Sequence, residues 1–203
     1  MNRAGTRPAG NPGQVRAARP DRTVKTRKRG QSTRRLLVST ASGNRSRGRL
    51  RYGHLAVPVA IGRSGIKANK REGDGSTPRG RFRLLRLWWR ADRLPRPSTR
   101  LPVRPIRDDD AWCEDPNDRR YNRPIKLLPS SQGDRLNRDD HLYDLVIELD
   151  HNTRPRVTNL GSAVFIHAAR PGFSPTAGCV ALDMRTLRRL LSRVSNRTVI
   201  DIR

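Results

Sequence analysis

The apolar residues of this chain arrive in short runs, and that limits its fold more than any other feature. Segments 34–41 and 54–62 are β-branched and leucine-rich, separated by a Ser/Gly/Asn/Arg stretch that reads as a turn region. Segment 81–90 alternates Phe82 and Leu84 with Arg81 and Arg83 before turning fully apolar. In 142–150, Tyr143, Leu145, Ile147 and Leu149 fall on one face, with Asp144 and Glu148 on the other. Segment 162–169 is continuously apolar around Val164, Phe165 and Ile166, the pattern of a buried strand. Segment 198–202 closes the chain as a last strand. One stretch alone has helical spacing: Asp183 can cap it, and Leu187, Leu190, Leu191 and Val194 share a face. Arg185, Arg188, Arg189 and Arg193 lie opposite, as a solvated face. The prediction is a mostly β domain with one C-terminal helix. No run approaches the ~18 residues of a helical bilayer span, and no secretory h-region is readable.

Charge divides the chain. Forty-four Lys and Arg against eighteen Asp and Glu leave a formal +26, with only 33% apolar residues among 203. Residues 1–30 carry +8 and 31–90 carry +13, whereas 91–141 is nearly neutral and 142–203 holds +4. Residues 1–33 offer almost nothing to bury and read as a disordered basic arm. Such an arm attracts nucleic acid, an anionic cell envelope or a lipid surface alike, because it reads charge and not identity. No zinc-finger, helix-turn-helix or aromatic RNA-binding signature accompanies it. The folded domain is expected over 34–203, and within it 91–141 holds seven Pro and ten of the acids with no sustained period. A segment of that kind reads as a lid-like insertion.

Chemistry concentrates in residues 164–180, Val-Phe-Ile-His-Ala-Ala-Arg-Pro-Gly-Phe-Ser-Pro-Thr-Ala-Gly-Cys-Val. His167 ends the buried strand, and Cys179 follows twelve positions later, after a Gly/Pro-rich loop and just ahead of the helix. A free thiol is only a few per cent thiolate at neutral pH, and a neighbouring imidazole can take its proton and then stabilise the thiolate. Gly178 leaves room for a carbonyl beside the nucleophile, and the Gly178 and Cys179 amides are candidate oxyanion donors. The alternative is that both residues are structural, in a basic nucleic-acid-binding protein. Cys113, between Trp112 and Glu114 in an acid-rich stretch, reads as structural or incidental. A Cys113–Cys179 disulfide is a further possibility if the protein is exported.

At these residues the sequence resembles the L,D-transpeptidases with the YkuD-type catalytic domain. Their strand ending in His, then loop, then Ser/Thr-x-Gly-Cys and an apolar residue is matched by His167, Thr176, Gly178, Cys179 and Val180. A second signature, Thr-Pro-x-Gly-x-Phe/Tyr, is matched by Thr77-Pro78-Arg79-Gly80-Arg81-Phe82, preceded by Asp74-Gly75-Ser76. The resemblance implies a YkuD-like β-sandwich or open barrel, with the C-terminal helix packed near the catalytic loop. It also implies a cysteine acyltransferase of peptidoglycan that works on tetrapeptide stems, as donor and acceptor, in the periplasm or cell envelope. Cys179 would attack the diaminopimelate–D-Ala carbonyl, His167 would serve as base and then acid, and the Ala168 carbonyl would orient the imidazole. The product would be a 3→3 cross-link or an amide to another amine; a hydrolytic L,D-carboxypeptidase or amidase of the same fold is the alternative. No metal or cofactor is called for, and nucleic acid is not an expected partner of the enzyme.

Three positions depart from the family pattern: Ala168 stands in place of Gly, Ala177 in place of His, and Ala181 in place of Arg. The missing Arg leaves its role to Arg170 or to the 119–123 cluster. Thr176, Arg170, Tyr121, Arg120 and Trp112 are the expected substrate-binding residues, the last three as parts of a lid that clamps the stem; the alternative for Trp112 and Tyr121 is that they pin the loop to the core. Anionic envelope polymers are the expected contacts of the basic arm.

Overall fold

The structure, a computed structural model, describes residues 1–2, 34–127 and 133–203. Apart from Met1 and Asn2, the arm expected at 1–33 lies outside the described residues. Fourteen strands occur among those described: β1 (Arg35–Ala41), β2 (Asn44–Tyr52), β3 (Leu55–Ala60), β4 (Ile66–Lys67), β5 (Thr77–Pro78), β6 (Gly80–Trp89), β7 (Val103–Pro105), β8 (Asp110–Trp112), β9 (Pro124–Lys126), β10 (Asp134–Arg135), β11 (Leu145–Leu149), β12 (Phe165–Ala168), β13 (Val180–Leu182) and β14 (Val199–Ile202). One α-helix, α1 (Met184–Leu191), follows β13. Its N-cap is Asp183, whose side chain accepts from the Thr186 amide at 2.9 Å. No helix among the described residues is long and apolar enough to cross a membrane.

Nine strands form one sheet in the order β11-β12-β13-β3-β2-β1-β14-β6-β7. The long β6 pairs with β14 through its first half and with β11 through its second, so the ends of the sheet meet and the wall closes. Inside lies the main core, built from alternate residues of every wall strand: Leu36 and Val38, Leu50, Leu84 and Leu87, Leu145 and Ile147, Ile166, Val180, Ile200 and Ile202. Leu187, Leu190 and Leu191 of α1 complete it. The mostly β architecture with a single C-terminal helix is as the sequence predicts.

Two expectations change. The stretch read as a turn region between the first two strands is itself β2, nine residues long. It alternates like any half-buried strand, with Gly48, Leu50 and Tyr52 inward and arginines outward, but glycine holds one inward place. A Cβ on Gly48 would lie 2.7 Å from the Ser39 carbonyl oxygen, so β1 and β2 approach too closely there for any side chain. The second change concerns β11, whose residues are buried on both faces. Leu145, Ile147 and Leu149 face the main core, while Val146 joins a second cluster with Trp88, Trp112, Leu136, Tyr143 and Phe165. Glu148, expected on an open face, is buried and accepts a hydrogen bond from Trp88 Nε1 at 2.9 Å.

The second cluster is where the 91–141 segment packs. That segment is less irregular than its sequence suggests, since β8 pairs with both β9 and β10 in a separate three-stranded sheet. Trp112 of β8 meets Trp88 and Phe165 edge to face, at 6.4 and 5.0 Å between ring centroids. Two faces of one wall are therefore buried, one in the barrel and one beneath the insertion.

Candidate active site

Strand alternation places the two candidate catalytic residues together. β12 and β13 pair in parallel, with Ile166 opposite Val180 and His167 opposite Ala181. Ile166 and Val180 point into the barrel, so Phe165, His167, Cys179 and Ala181 occupy the outer side of the same two strands. His167 and Cys179 both line a cleft of about 360 Å³ there. The cleft lies over the second cluster, to which Cys179 itself belongs.

The Cys179 thiol donates to the Ala163 carbonyl at 3.2 Å, and its sulfur accepts from the Phe165 amide at 3.4 Å. Burial pushes the thiol up to about 12, only partly opposed by that amide. Burial also pulls His167 down to about 4 against the opposing effect of the Ala168 carbonyl. Both directions favour the neutral thiol and the neutral imidazole over a ready-made thiolate–imidazolium pair. His167 Nδ1 lies 2.8 Å from the Ala168 carbonyl oxygen. A carbonyl can only accept, so Nδ1 carries the hydrogen and the Nε2 lone pair is free to take a proton. The Tyr143 ring stands edge-on to the imidazole at 5.2 Å, and its hydroxyl donates to Asp134 Oδ2 at 2.9 Å.

The loop before Cys179 is held by the second sequence signature. Gly178 has φ +153°, and a Cβ there would lie 2.8 Å from the Ser76 carbonyl oxygen. Ser76 and Thr77 are fully buried. Thr77 Oγ1 accepts from the Gly62 amide at 2.8 Å, and the next residue, Arg63, donates its amide to the Thr176 carbonyl at 3.0 Å. Asp74 anchors the preceding turn by accepting from Lys70 Nζ and from the Ser76 amide and hydroxyl, each at 2.8 Å. Thr176 Oγ1 in turn donates to the Cys179 carbonyl at 2.7 Å and accepts from the Gly178 amide at 3.1 Å. The Gly178 amide is therefore occupied, which removes it as an oxyanion donor in this arrangement. Thr176 lines the cleft and also braces the nucleophile loop.

The other sequence candidates fall in different places. Arg170 lines the cleft and lies 3.5 Å from Asp140. Trp112 is buried beneath the cleft, its Nε1 donating to Asn122 Oδ1 at 2.9 Å. Tyr121 is also buried; its hydroxyl donates to Glu72 and accepts from the Gly161 amide. Arg120 pairs with its neighbour Asp118 at 2.6 Å and is not among the cleft residues. Trp112 and Tyr121 thus pin the insertion to the wall, and Arg120 faces solvent. Cys113 is buried with Ala111 and Ile125, away from the cleft lining, and both cysteines are free.

The cleft also contains residues that the sequence pattern did not single out. Arg138 stacks over Tyr143 at 4.9 Å and pairs with Asp134 and Asp140. Lys70, Glu72 and Glu114 line the cleft as well. Among the described residues, no three His, Cys, Asp or Glu side chains gather as a metal set.

The family model for the L,D-transpeptidase catalytic domain (YkuD) matches residues 28–202. The chain belongs to this family. Neither the curated proteins nor the solved structures compared with it give a match. At family level, membership means L,D-transpeptidase-type activity on peptidoglycan. Within this L,D-transpeptidase domain the three departures have physical consequences. Ala168 serves through its carbonyl, which any residue supplies. Ala177 and Ala181 both line the cleft, where neither supplies a polar side chain. Arg138 and Arg170 bring guanidinium groups to the same cleft from other segments.

Proposed function

We propose that this L,D-transpeptidase domain works through Cys179 as nucleophile and His167 as general base, on the diaminopimelate–D-Ala bond of a tetrapeptide stem. The observation that carries the reading is the placement of both side chains on the outer face of β12 and β13, in one cleft. Because burial favours the neutral form of both groups, proton transfer accompanies attack. The thiol turns from the Ala163 carbonyl, Sγ–C bond formation pushes the carbonyl electrons onto oxygen, and Nε2 takes the thiol proton. The developing oxyanion meets the Cys179 amide, the remaining donor of the pair considered from sequence. Collapse breaks the C–N bond, and the imidazolium proton leaves with D-Ala. An amine of a second stem then attacks the thioester, gives up its proton through His167 and frees the thiol, forming a 3→3 cross-link or an equivalent amide. Arg138 and Arg170 suit the carboxylates that a stem peptide carries.

The test is intact-mass analysis after exposure to a carbapenem, which acylates a nucleophilic cysteine of this kind. Wild-type protein and Cys113→Ala are expected to gain one adduct, and Cys179→Ala none, with loss of cross-linking of at least a thousandfold. An adduct that persists in Cys179→Ala would overturn the assignment. Muropeptide analysis with and without added acceptor amine separates transfer from hydrolysis.

A further inference from the structure

The exposed side of β2 carries Arg45, Arg47, Arg49 and Arg51 at alternate positions. At about 6.8 Å per two residues, the row spans roughly 20 Å of the outer wall. Some arginines elsewhere are ion-paired, Arg35, Arg81 and Arg203 on Asp201, Arg90 on Asp92, and Arg93 on Asp144, but what sets β2 apart is four arginines in one straight row. Among the described residues, no ion pair involves Arg45, Arg49 or Arg51. The facing positions hold no acid either, since Arg49 lies opposite Ser39 and Pro58, and Arg51 opposite Leu37 and Ala56. A row of like charges without counter-charges costs stability, and the fold keeps it.

The row also has a direction. Arg47 Nη2 donates to the Gly172 carbonyl at 2.6 Å, within the loop between His167 and Cys179. Beyond that end, Arg63 lines the cleft itself. The far end, at Arg51, sits beside β1, where the chain enters from the +8 segment 1–33. No aromatic side chain stands in the row, because Tyr52 is turned into the core, so the surface has no platform for stacked bases.

We propose that this arginine row is an exosite that holds carboxylate-bearing peptidoglycan and guides neighbouring stems toward the cleft. It rests on the proposed function, in which each stem carries the carboxylates of diaminopimelate and D-Ala. A polymer displaying such stems repeatedly presents several anions at once, which a row of separate guanidinium groups can engage together. An isolated stem fits the cleft alone and does not need the row.

The experiment uses the full chain and the variant Arg45→Gln/Arg49→Gln/Arg51→Gln, which changes solvent-facing positions and leaves the Arg47–Gly172 contact intact. Co-sedimentation with insoluble diaminopimelate-type peptidoglycan is measured across a salt series, beside turnover of that polymer and of soluble disaccharide-tetrapeptide. Retention on the polymer and kcat/KM for it are expected to fall about tenfold or more, with weaker salt dependence, while soluble turnover stays within about twofold. Unchanged retention, or equal loss on both substrates, would overturn the exosite. So would unchanged polymer retention with lost binding to phosphatidylcholine vesicles containing roughly one-third phosphatidylglycerol, which would make the row a lipid reader. Row-dependent sedimentation without turnover of either substrate by wild type would instead remove the enzyme reading and leave a wall-binding surface.

Discussion

Cys179 shows how far burial governs a nucleophile. It accepts from the Phe165 amide and its S–H donates to the Ala163 carbonyl, and in the proposed mechanism its reactivity rises when a substrate carbonyl and His167 act together. A thiol held at about 12 gains thiolate tenfold per pH unit throughout the ordinary range. In a Cys113→Ala background, iodoacetamide labelling of Cys179 should therefore accelerate steadily from pH 7 to pH 10 without a plateau. A plateau near neutrality would reveal a preformed ion pair with His167 instead. The thiol and the imidazole were legible from sequence as His167 and Cys179 in a strand–loop–Gly-Cys pattern. Their protonation was not, since it depends on Phe165, Ala163 and the insertion folding over them.

Among the elements, legibility followed side-chain volume. Strands β1, β3, β6, β11, β12 and β14 announce themselves through Leu, Val, Ile and Trp, and α1 through four apolar residues at helical spacing. β2 hides because one of its inward positions is Gly48 and six of its nine residues are Asn, Ser or Arg. β13 hides because three residues between Cys179 and the α1 cap are too few to show a period. The short strands of the insertion are set by pairing to β8 and by the Trp112 and Tyr121 anchors, which are tertiary facts. The same logic separates the two signatures of the site. The Thr77-Pro78 signature belongs to the shelf on which the Gly178 turn rests, with Ser76 oxygen against Gly178. Gly178→Ala is thus expected to cost about 1–3 kcal/mol in urea unfolding, from the 2.8 Å clash and the positive φ. It should also lower kcat far more than it raises KM, by displacing Cys179. Unaltered stability and turnover would mean that the shelf is dispensable.

For the molecule as a whole, the decisive feature is closure through β6, and the last strand is what joins β6 to β1. β14 lies between β1, with which it runs parallel, and β6, so residues near both ends of the folded domain meet in the wall. At that seam Asp201 is buried while Arg35 of β1, Arg81 of β6 and Arg203 at the end of β14 converge on its carboxylate from a solvent-exposed surface. Hydrogen bonding from Arg203, with Arg35 assisting against the cost of burial, holds Asp201 down at about 2. A carboxyl whose folded value is depressed is worth its full contribution above the ordinary range near 4, and loses it as pH falls toward 2. Replacing it as Asp201→Asn removes the shared anion and leaves three cations facing one another across three strands. The contribution is discounted because water screens the arginines. The variant's Tm is accordingly expected to fall by about 2–6 °C at pH 7 in low salt, less in 1 M NaCl, and hardly at all near pH 2, where the wild-type carboxyl is itself being protonated. A drop that is independent of both salt and pH would place the role of Asp201 in packing and not in the charge of the seam.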